Sequence, residues 1–392
     1  MLVMYKTLLL LILLFVYNES TLTPKSRKSK KTEKIEEIEE TVTGPQEKTV
    51  LEKKLVIDPP SAKDIISNYN SYGVDRKKYR TKKALGYITP WNNKGYDAAY
   101  LFANKFTHIS PVWFQIKRID VEFYEVIGLQ DVDKNWMQDV KEAGKDRNLK
   151  IVPRIIFENW TSKDFITLVI TEKEFTALAN ELIKVCEQYK FDGYVLELWS
   201  QFVGRVQNEL LINVVQEIAL RLRAEDFELI LVIPPMRSKT PLFNKQQYDD
   251  LYDHVSGFSL TSYDFSTIHR PGPNAPIKWI EDCIKLLAPN KERRDKLFVG
   301  LSFYGYDYTP SGGSAIIGND YIRLLKLHKG KLDKDEKSVE HFFEIKQDDG
   351  RHVIFYPTLY SIDERIKLIN ELETGVAVWE LGQGLPYFFD LL

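Results

Sequence analysis

The chain has few of the residues on which several protein classes depend. Its 392 residues include only two cysteines, Cys186 and Cys283, which is too few for a disulfide framework or a cysteine-based metal cluster. Both lie in amphipathic helical patterns and fit small buried side chains. A formal net charge of -2 argues against a general nucleic-acid binder. No metal-ligand cluster stands out, so we expect no metal and no cofactor.

Long apolar runs are also scarce, and the clearest one lies at the N terminus. After Lys6 the chain is Leu-rich for about a dozen residues, the length of a signal-peptide core and short for a membrane span. We therefore predict a signal peptide over residues 1–20. The protein would then be secreted or lie in the endo-lysosomal lumen, without a stable membrane span after signal removal. A short uncleaved anchor is the alternative.

Two N-terminal segments precede the main domain. Residues 21–54 are polar, with a basic cluster followed by an acidic one, and they lack the apolar residues needed for a core. We predict a disordered charged linker there. A nuclear or polyanion-binding signal is disfavoured behind a signal peptide. Residues 55–83 regain apolar side chains and are predicted to pack as an N-terminal arm on the domain.

From Ala84 onward, apolar strand-like runs alternate with helical patterns. The strand-like runs are Ala84–Ile88, Phe106–Val112, Lys150–Phe157, Gly193–Trp199, Glu228–Pro234, Gly257–Tyr263, Leu297–Tyr304 and Gly375–Glu380. The helical patterns lie around Ala98 and at Trp136–Arg147, Thr171–Tyr189, Val206–Glu225, Lys245–Val255, Ile277–Leu287 and Ser361–Glu373. Eight buried strands alternating with helices predict an α/β fold, a closed (β/α)8 barrel over residues 84–392.

Two longer gaps interrupt this alternation. Arg118–Tyr124 alternates polar and apolar residues, which predicts an extra hairpin after the second strand. Residues 307–358 hold a helical pattern at Asn319–Leu327 and two strand-like runs, Glu340–Ile345 and His352–Phe355. We predict a small α+β insertion after the seventh strand. Insertions at that point of a barrel lie at the C-terminal face, where ligands bind.

The fourth strand carries a carboxylate inside an apolar run. Because strand side chains alternate, Val195, Glu197 and Trp199 share one face, whereas Tyr194, Leu196 and Leu198 share the other. Burying a carboxylate is costly unless it is paired or used. Glu197 is therefore either a structural residue with a partner inside the barrel or part of a ligand site.

The predicted C-terminal ends of the strands are rich in aromatic residues. They are Trp91, Trp113, Trp160, Trp199, Tyr263, Phe265, Tyr304, Tyr306 and Trp379, with carboxylates at Glu158, Glu197, Asp264 and Glu380. Flat apolar rings suit the faces of sugars, and a few polar groups then fix the orientation of the ligand. A barrel mouth that is simply filled by its own side chains is the other interpretation.

Residues 84–392 resemble glycoside hydrolase family 18, whose fourth-strand pattern is Asp-Gly-x-Asp-x-Asp-x-Glu. Asp192 and Gly193 match this pattern, but Glu197 stands at its third Asp and Trp199 at its catalytic Glu. Val195 stands at the second Asp. Tyr263–Asp264 resemble the family's sugar-contacting pair, and Trp379 resembles the floor of its central subsite. The segments Ser259–Thr267, Pro271–Pro276 and Trp379–Leu385 are similar to a chitinase-like subgroup.

This resemblance implies a carbohydrate-binding barrel without hydrolysis. Family 18 enzymes need a general acid, which the indole of Trp199 cannot supply near neutral pH. The expected ligand is a chitin-type N-acetylglucosamine oligosaccharide, and the resemblance also implies a scavenger-type cell-surface receptor as a partner. The carbohydrate-binding candidates are Glu158, Glu197, Asp264, Tyr263, Tyr304, Trp113, Trp199 and Trp379.

Two rival functions and one modification site remain open. The first rival is an active glycosidase with relocated acids, Glu197 with Asp264 or Glu380. The second is a protein-interaction module on a filled barrel. Asn159-Trp160-Thr161 is a sequon that would place a glycan at the ligand face of a secreted protein.

Overall fold

The computed structural model describes residues 41–75 and 79–392. The predicted signal peptide and residues 21–40 of the predicted linker lie outside these ranges. The strands are β1 Thr43–Gln46, β2 Asn70–Gly73, β3 Ala84–Ile88, β4 His108–Pro111, β5 Phe114–Asp120, β6 Phe123–Ile127, β7 Lys150–Ile151, β8 Arg154–Phe157, β9 Gly193–Glu197, β10 Glu228–Ile233, β11 Gly257–Leu260, β12 Leu297–Ser302, β13 Gly305–Thr309, β14 Gly312–Ile316, β15 Asp333–Asp335, β16 Glu340–Gln347, β17 Gly350–Phe355 and β18 Gly375–Trp379. The helices are α1 Ala62–Asn68, α2 Asn93–Leu101, α3 Lys134–Ala143, α4 Ser162–Ile170, α5 Glu172–Tyr189, α6 Trp199–Phe202, α7 Asn208–Ala224, α8 Lys245–Tyr252, α9 Ile277–Leu287, α10 Gly318–Leu325 and α11 Leu359–Glu371.

The main sheet curls into a barrel of eight parallel strand positions. Around it follow β3, then β4 with β5, β7 with β8, β9, β10, β11, β12 and β18, and β18 pairs with β3. The second and third positions are each broken into two short strands, which pair as β4 with β7 and β5 with β8. This α/β architecture with a curled sheet agrees with the fold class predicted from the alternating pattern.

Alternation along the strands separates two apolar layers. Nine side chains form a small core cluster inside the barrel, and Trp379 packs at its edge: Leu85, Tyr87, Val112, Val152, Val195, Ile230, Val232, Phe298 and Ala377. Tyr194 and Leu196 belong to the larger cluster between the strands and the surrounding helices. The predicted opposite directions of Val195 and Leu196 are therefore confirmed, with Val195 inside the barrel and Leu196 facing the helices.

The predicted linker extends too far toward the domain. β1 pairs in parallel with β2, and Val50 is buried with its backbone N–H donating to the Asp390 carboxylate at 2.9 Å. Gly73 donates to the same carboxylate at 2.8 Å. The prediction of disorder up to residue 54 is therefore wrong for residues 43–54, because backbone pairing and one buried carboxylate hold a segment that is poor in apolar residues.

A separate antiparallel sheet lies in the chain between the seventh and eighth barrel positions. Its order is β14, β13, β17, β16 and β15, and α10 follows β14. The sequence pattern indicates α10, β16 and β17 but misses the other three strands, which are short or rich in glycine. Within residues 41–75 and 79–392, no helix has the length and apolar character needed to cross a membrane.

Candidate functional site

The Asp-Gly pair before β9 has a structural role of its own. Asp192 accepts a hydrogen bond from the Ile151 backbone N–H at 2.7 Å, which joins the third and fourth strand positions. Gly193 has a φ of 141°, and a Cβ there would lie 2.0 Å from the Glu228 carbonyl oxygen. Only glycine fits this close approach of two strands. Asp192 and Gly193 therefore have a structural role in the packing of these strands, independent of any catalytic role.

An ion pair lies inside the barrel where β9 ends. Arg154 Nε donates to Glu197 Oε2 at 2.7 Å, and a second guanidinium nitrogen contacts the same oxygen. Both side chains are partly buried. The pair links the third and fourth strand positions, since Arg154 opposes Val195 in the β8–β9 register. Glu197 is therefore a carboxylate with its charge already compensated.

Sequence reasoning missed Arg154, although a signal for it exists. Arg154 interrupts the apolar run Lys150–Phe157 at an inward position, and a charged residue there needs a partner. Glu197 needs a partner on the next strand for the same reason. The two strand patterns taken together therefore predict the Arg154–Glu197 pair.

Trp379 lies beside this ion pair at the end of β18. Its ring centroid is 5.2 Å from that of Tyr87 and 5.8 Å from the guanidinium carbon of Arg154. Trp379 is partly exposed, whereas Tyr87 is buried and its hydroxyl lies 2.7 Å from Ser259 Oγ. Burial raises the pKa of the Tyr87 phenol, so it stays neutral. The exposed part of the Trp379 ring is available to a ligand.

Asp264 lies after β11 and is held from several sides. Its φ of 58° is left-handed, and its backbone N–H donates to Asn274 Oδ1 at 2.7 Å. The hydroxyls of Tyr304 and Tyr306 both donate to Asp264 Oδ1, the latter at 2.7 Å. Burial raises the pKa of both phenols, which keeps them as donors. Asp264 is thus a fixed hydrogen-bond acceptor at the mouth, next to Tyr263.

Trp199 does not line the mouth. The strand ends at Glu197, and Trp199 begins the short helix α6 with none of its surface exposed. Its indole N–H donates to the Leu242 carbonyl at 2.8 Å, and its ring packs edge-on against Phe243 at 4.8 Å. The prediction that Trp199 continues the inward face and stacks on a sugar is wrong, because the strand turns into a helix one residue earlier.

Trp113 and Tyr304 are also less accessible than predicted. Trp113 is buried on the outer side of the barrel, where its indole N–H donates to the Tyr96 hydroxyl at 2.6 Å. The inward residue is its neighbour Val112. Tyr304 is buried against Tyr263 and supports Asp264. Neither ring presents a face for stacking, so both carbohydrate-contact predictions are corrected to structural roles.

Glu158 and Asn159 follow the end of β8. Glu158 is partly exposed and follows the last residue of β8, so it stays a candidate for ligand contact. Asn159 is exposed with a left-handed φ of 59°. Thr161, the third residue of the sequon, caps α4 by accepting from the Asp164 N–H. The predicted glycosylation of Asn159 stays a prediction.

Glu380 lies outside the mouth, which removes one acid from the rival hydrolase. It is fully buried, and its Oε2 accepts from the Asn92 side-chain amide at 2.9 Å. A Cβ on Gly95 of α2 would lie 2.4 Å from Oε1, so the carboxyl fills the space beneath that helix. Among residues 41–75 and 79–392, no group of three His, Cys, Asp or Glu side chains is arranged to hold a metal ion.

The burial of Glu380 makes the free energy of unfolding depend on pH. Burial raises the pKa of Glu380 from 4.5 to about 7. A raised folded-state pKa favours the protonated carboxyl, so stability is lost as pH rises from about 4.5 to 7. We expect the free energy of unfolding to fall by about 2–3 kcal/mol more in wild type than in Glu380→Gln between pH 5 and 8. Urea unfolding at both pH values measures this difference, and parallel pH profiles would contradict it.

The comparison with protein families identifies the class to which this barrel and site belong. The family model described as glycosyl hydrolases family 18 matches residues 83–384. The chain belongs to glycoside hydrolase family 18. Glu197, Tyr263, Asp264 and Trp379 all lie within the matched range.

Individual relatives are distant. The uncharacterized glycosylase YvbX of Bacillus subtilis is 21% identical over 230 residues, and the match covers 56% of this chain and 64% of that protein. A chitinase from Chromobacterium violaceum has a TM-score of 0.66 at 19% identity, covering 79% of this chain and 97% of the other. A chitinase from Cycas revoluta, solved with (GlcNAc)3, has a TM-score of 0.63 at 13% identity, with the same coverage. These solved structures share the fold.

Proposed function

We propose that the protein binds N-acetylglucosamine-type oligosaccharides at the barrel mouth without hydrolysing them. The observation that carries this proposal is the end of the fourth strand, where the family's acid position holds Trp199. That residue is fully buried and its indole N–H is bound to a carbonyl. The nearby Glu197 is paired with Arg154. A general acid must hold a proton near the leaving oxygen, and neither residue meets that requirement.

The remaining mouth residues suit binding. Trp379 offers a partly exposed ring for a sugar face, and Asp264 offers an acceptor held in place by two tyrosines. Acceptors with fixed positions lose little entropy when a ligand binds. The family membership and the Cycas revoluta chitinase solved with (GlcNAc)3 support a chitin-type ligand.

The proposal also includes an assignment to a subgroup within the family. We place the chain in the subgroup of chitinase domain-containing proteins, also called stabilin-interacting chitinase-like proteins, on the motifs at residues 192–199, 259–267, 271–276 and 379–385. By that resemblance a scavenger-type cell-surface receptor is a proposed partner. The insertion at residues 307–358 is proposed to be the family's α+β insertion domain.

Hydrolysis is expected to be at background. A fluorogenic chitobioside incubated with the protein should release no more fluorophore than buffer does, because Trp199 at the family's acid position is buried and Glu197 is paired with Arg154. The control is Glu197→Gln, which should give the same background. Clear turnover that disappears in Glu197→Gln would instead support the rival glycosidase that uses Glu197 with Asp264.

Entry into the secretory pathway is the expected consequence of the N-terminal apolar run. The full-length protein expressed in animal cells should carry its residues after about Ser20 in the lumen of the endoplasmic reticulum. Protease protection of microsomal fractions measures this topology. A protease-sensitive, cytosolic protein would contradict the prediction.

A further inference from the structure

We propose that two arginines on the rim of the mouth, Arg237 and Arg270, bind an anionic group on the sugar ligand, such as a sulfate or a carboxylate. This inference rests on the proposed function, because it assigns the chemical class of the glycan that the mouth receives. It goes beyond a neutral chitin-type ligand to an acidic, N-acetylglucosamine-containing oligosaccharide.

Both arginines donate hydrogen bonds to the loop that follows β11. Arg237 lies in the loop after β10, and Arg270 lies in the loop after β11 itself. Arg237 donates to the Tyr263 carbonyl at 2.9 Å and also to the Asp264 carbonyl. Arg270 donates to the Phe265 carbonyl at 2.5 Å. Three consecutive carbonyl groups therefore hold the two guanidinium groups beside Tyr263 and Asp264. Arg237 therefore contacts the backbone of both predicted sugar-contacting residues, and Arg270 contacts the backbone of the residue that follows them.

These charges have no acidic partner in the part of the chain that the structure describes. Both arginines are exposed, and their described hydrogen bonds go to neutral carbonyl groups. The segments 236–241 and 264–273 contain a third cation, Lys239, and a single acid, Asp264. The carboxylate of Asp264 accepts from Tyr304 and Tyr306. These two segments are thus positive, although the whole chain has a formal net charge of -2.

Aromatic packing fixes the two guanidinium groups. The guanidinium carbon of Arg237 is 5.9 Å from the Trp279 ring centroid, and that of Arg270 is 5.1 Å from the Phe265 centroid. The Phe265 and Trp279 rings are themselves 5.1 Å apart. A planar guanidinium held against a ring keeps free N–H groups, which suit sulfate and carboxylate oxygens. This arrangement is a preorganised anion-binding surface rather than a group of mobile surface charges.

Calorimetric titration with two probes tests the proposal. Chitotetraose is the neutral probe and 6-O-sulfated chitotetraose is the acidic one. Wild type should bind the sulfated probe about tenfold more tightly, and rising ionic strength should reduce that preference. Arg237→Gln and Arg270→Gln should each weaken the sulfated probe by about threefold to tenfold and weaken chitotetraose clearly less. Equal losses for the two probes would contradict a role of these arginines in anion binding.

The control variant is Lys291→Gln, which removes one exposed charge before β12, at the opposite end of the barrel. It should bind both probes as wild type does. Equal affinity of wild type for the two probes at low salt would overturn the anionic-ligand inference and leave the proposed function standing. Failure of both probes to bind would overturn the proposed function. A tetraglutamate peptide that binds as tightly as the sulfated sugar would overturn the choice of a glycan.

Discussion

Trp379→Ala should weaken chitotetraose binding by about tenfold to a hundredfold. The partly exposed Trp379 ring lies 5.8 Å from the guanidinium carbon of Arg154. Burial of an aromatic face against a sugar is worth on the order of 1–3 kcal/mol, which corresponds to that range of affinity. Calorimetric titration of the variant and wild type under the same conditions measures the loss.

The matched control is Trp136→Ala. Trp136 is also a partly buried tryptophan, but it lies on α3 outside the barrel and packs against Tyr96 at 5.0 Å. This variant removes the same side chain and should retain wild-type affinity. Equal affinities of Trp379→Ala and wild type would mean that Trp379 is structural, and the interaction-module interpretation would then lead. Glu197→Gln should cost less than Trp379→Ala, because Glu197 already binds Arg154.

Trp199→Glu should destabilise the fold and restore no hydrolysis. The substitution writes the family's acid back into the sequence, but it places a carboxylate where the side chain is fully buried. Removing a large buried ring costs about 3–5 kcal/mol, before the cost of an unpaired buried charge is added. We expect the free energy of unfolding to fall by at least about 4 kcal/mol. Urea denaturation measures this change.

Trp199→Phe separates the contribution of ring packing from that of the indole hydrogen bond. It keeps the ring that packs on Phe243 but loses the indole hydrogen bond to Leu242, which should cost about 1–2 kcal/mol. A Trp199→Glu protein with wild-type stability and measurable chitobioside turnover would show that the new acid reaches the mouth. The assignment of Trp199 to a closed core would then be wrong.

The sequence predicts the barrel well because each strand and helix leaves a pattern in neighbouring residues of the chain. Apolar runs between amphipathic helices identify all eight strand positions, and alternation assigns Val195 inward and Leu196 outward. The ends of strands are harder to predict, since the strand-to-helix turn at Leu198 depends on packing beneath it. That one turn decides whether Trp199 faces a ligand or the core.

The site is predicted less completely than the fold. Trp379, Tyr263 and Asp264 follow from the resemblance, whereas Arg154 requires a partner argument across two strands that single runs do not show. Trp113 and Tyr304 have the right residue type at the right strand ends, yet one residue of register separates a mouth position from a buried one. The structure of residues 43–54 depends on pairing with β2 and on a hydrogen bond from Val50 to Asp390, and the composition of the segment itself predicts neither contact.

The most direct test of binding without hydrolysis is a single titration with recovery of the ligand. Chitotetraose is titrated into wild-type protein by calorimetry, and the sugar in the cell is then analysed by mass spectrometry after prolonged incubation. Binding without hydrolysis predicts saturable heat of binding and intact tetramer as the only sugar recovered. Chitobiose accumulating in the cell, at a rate that depends on protein concentration, would contradict it.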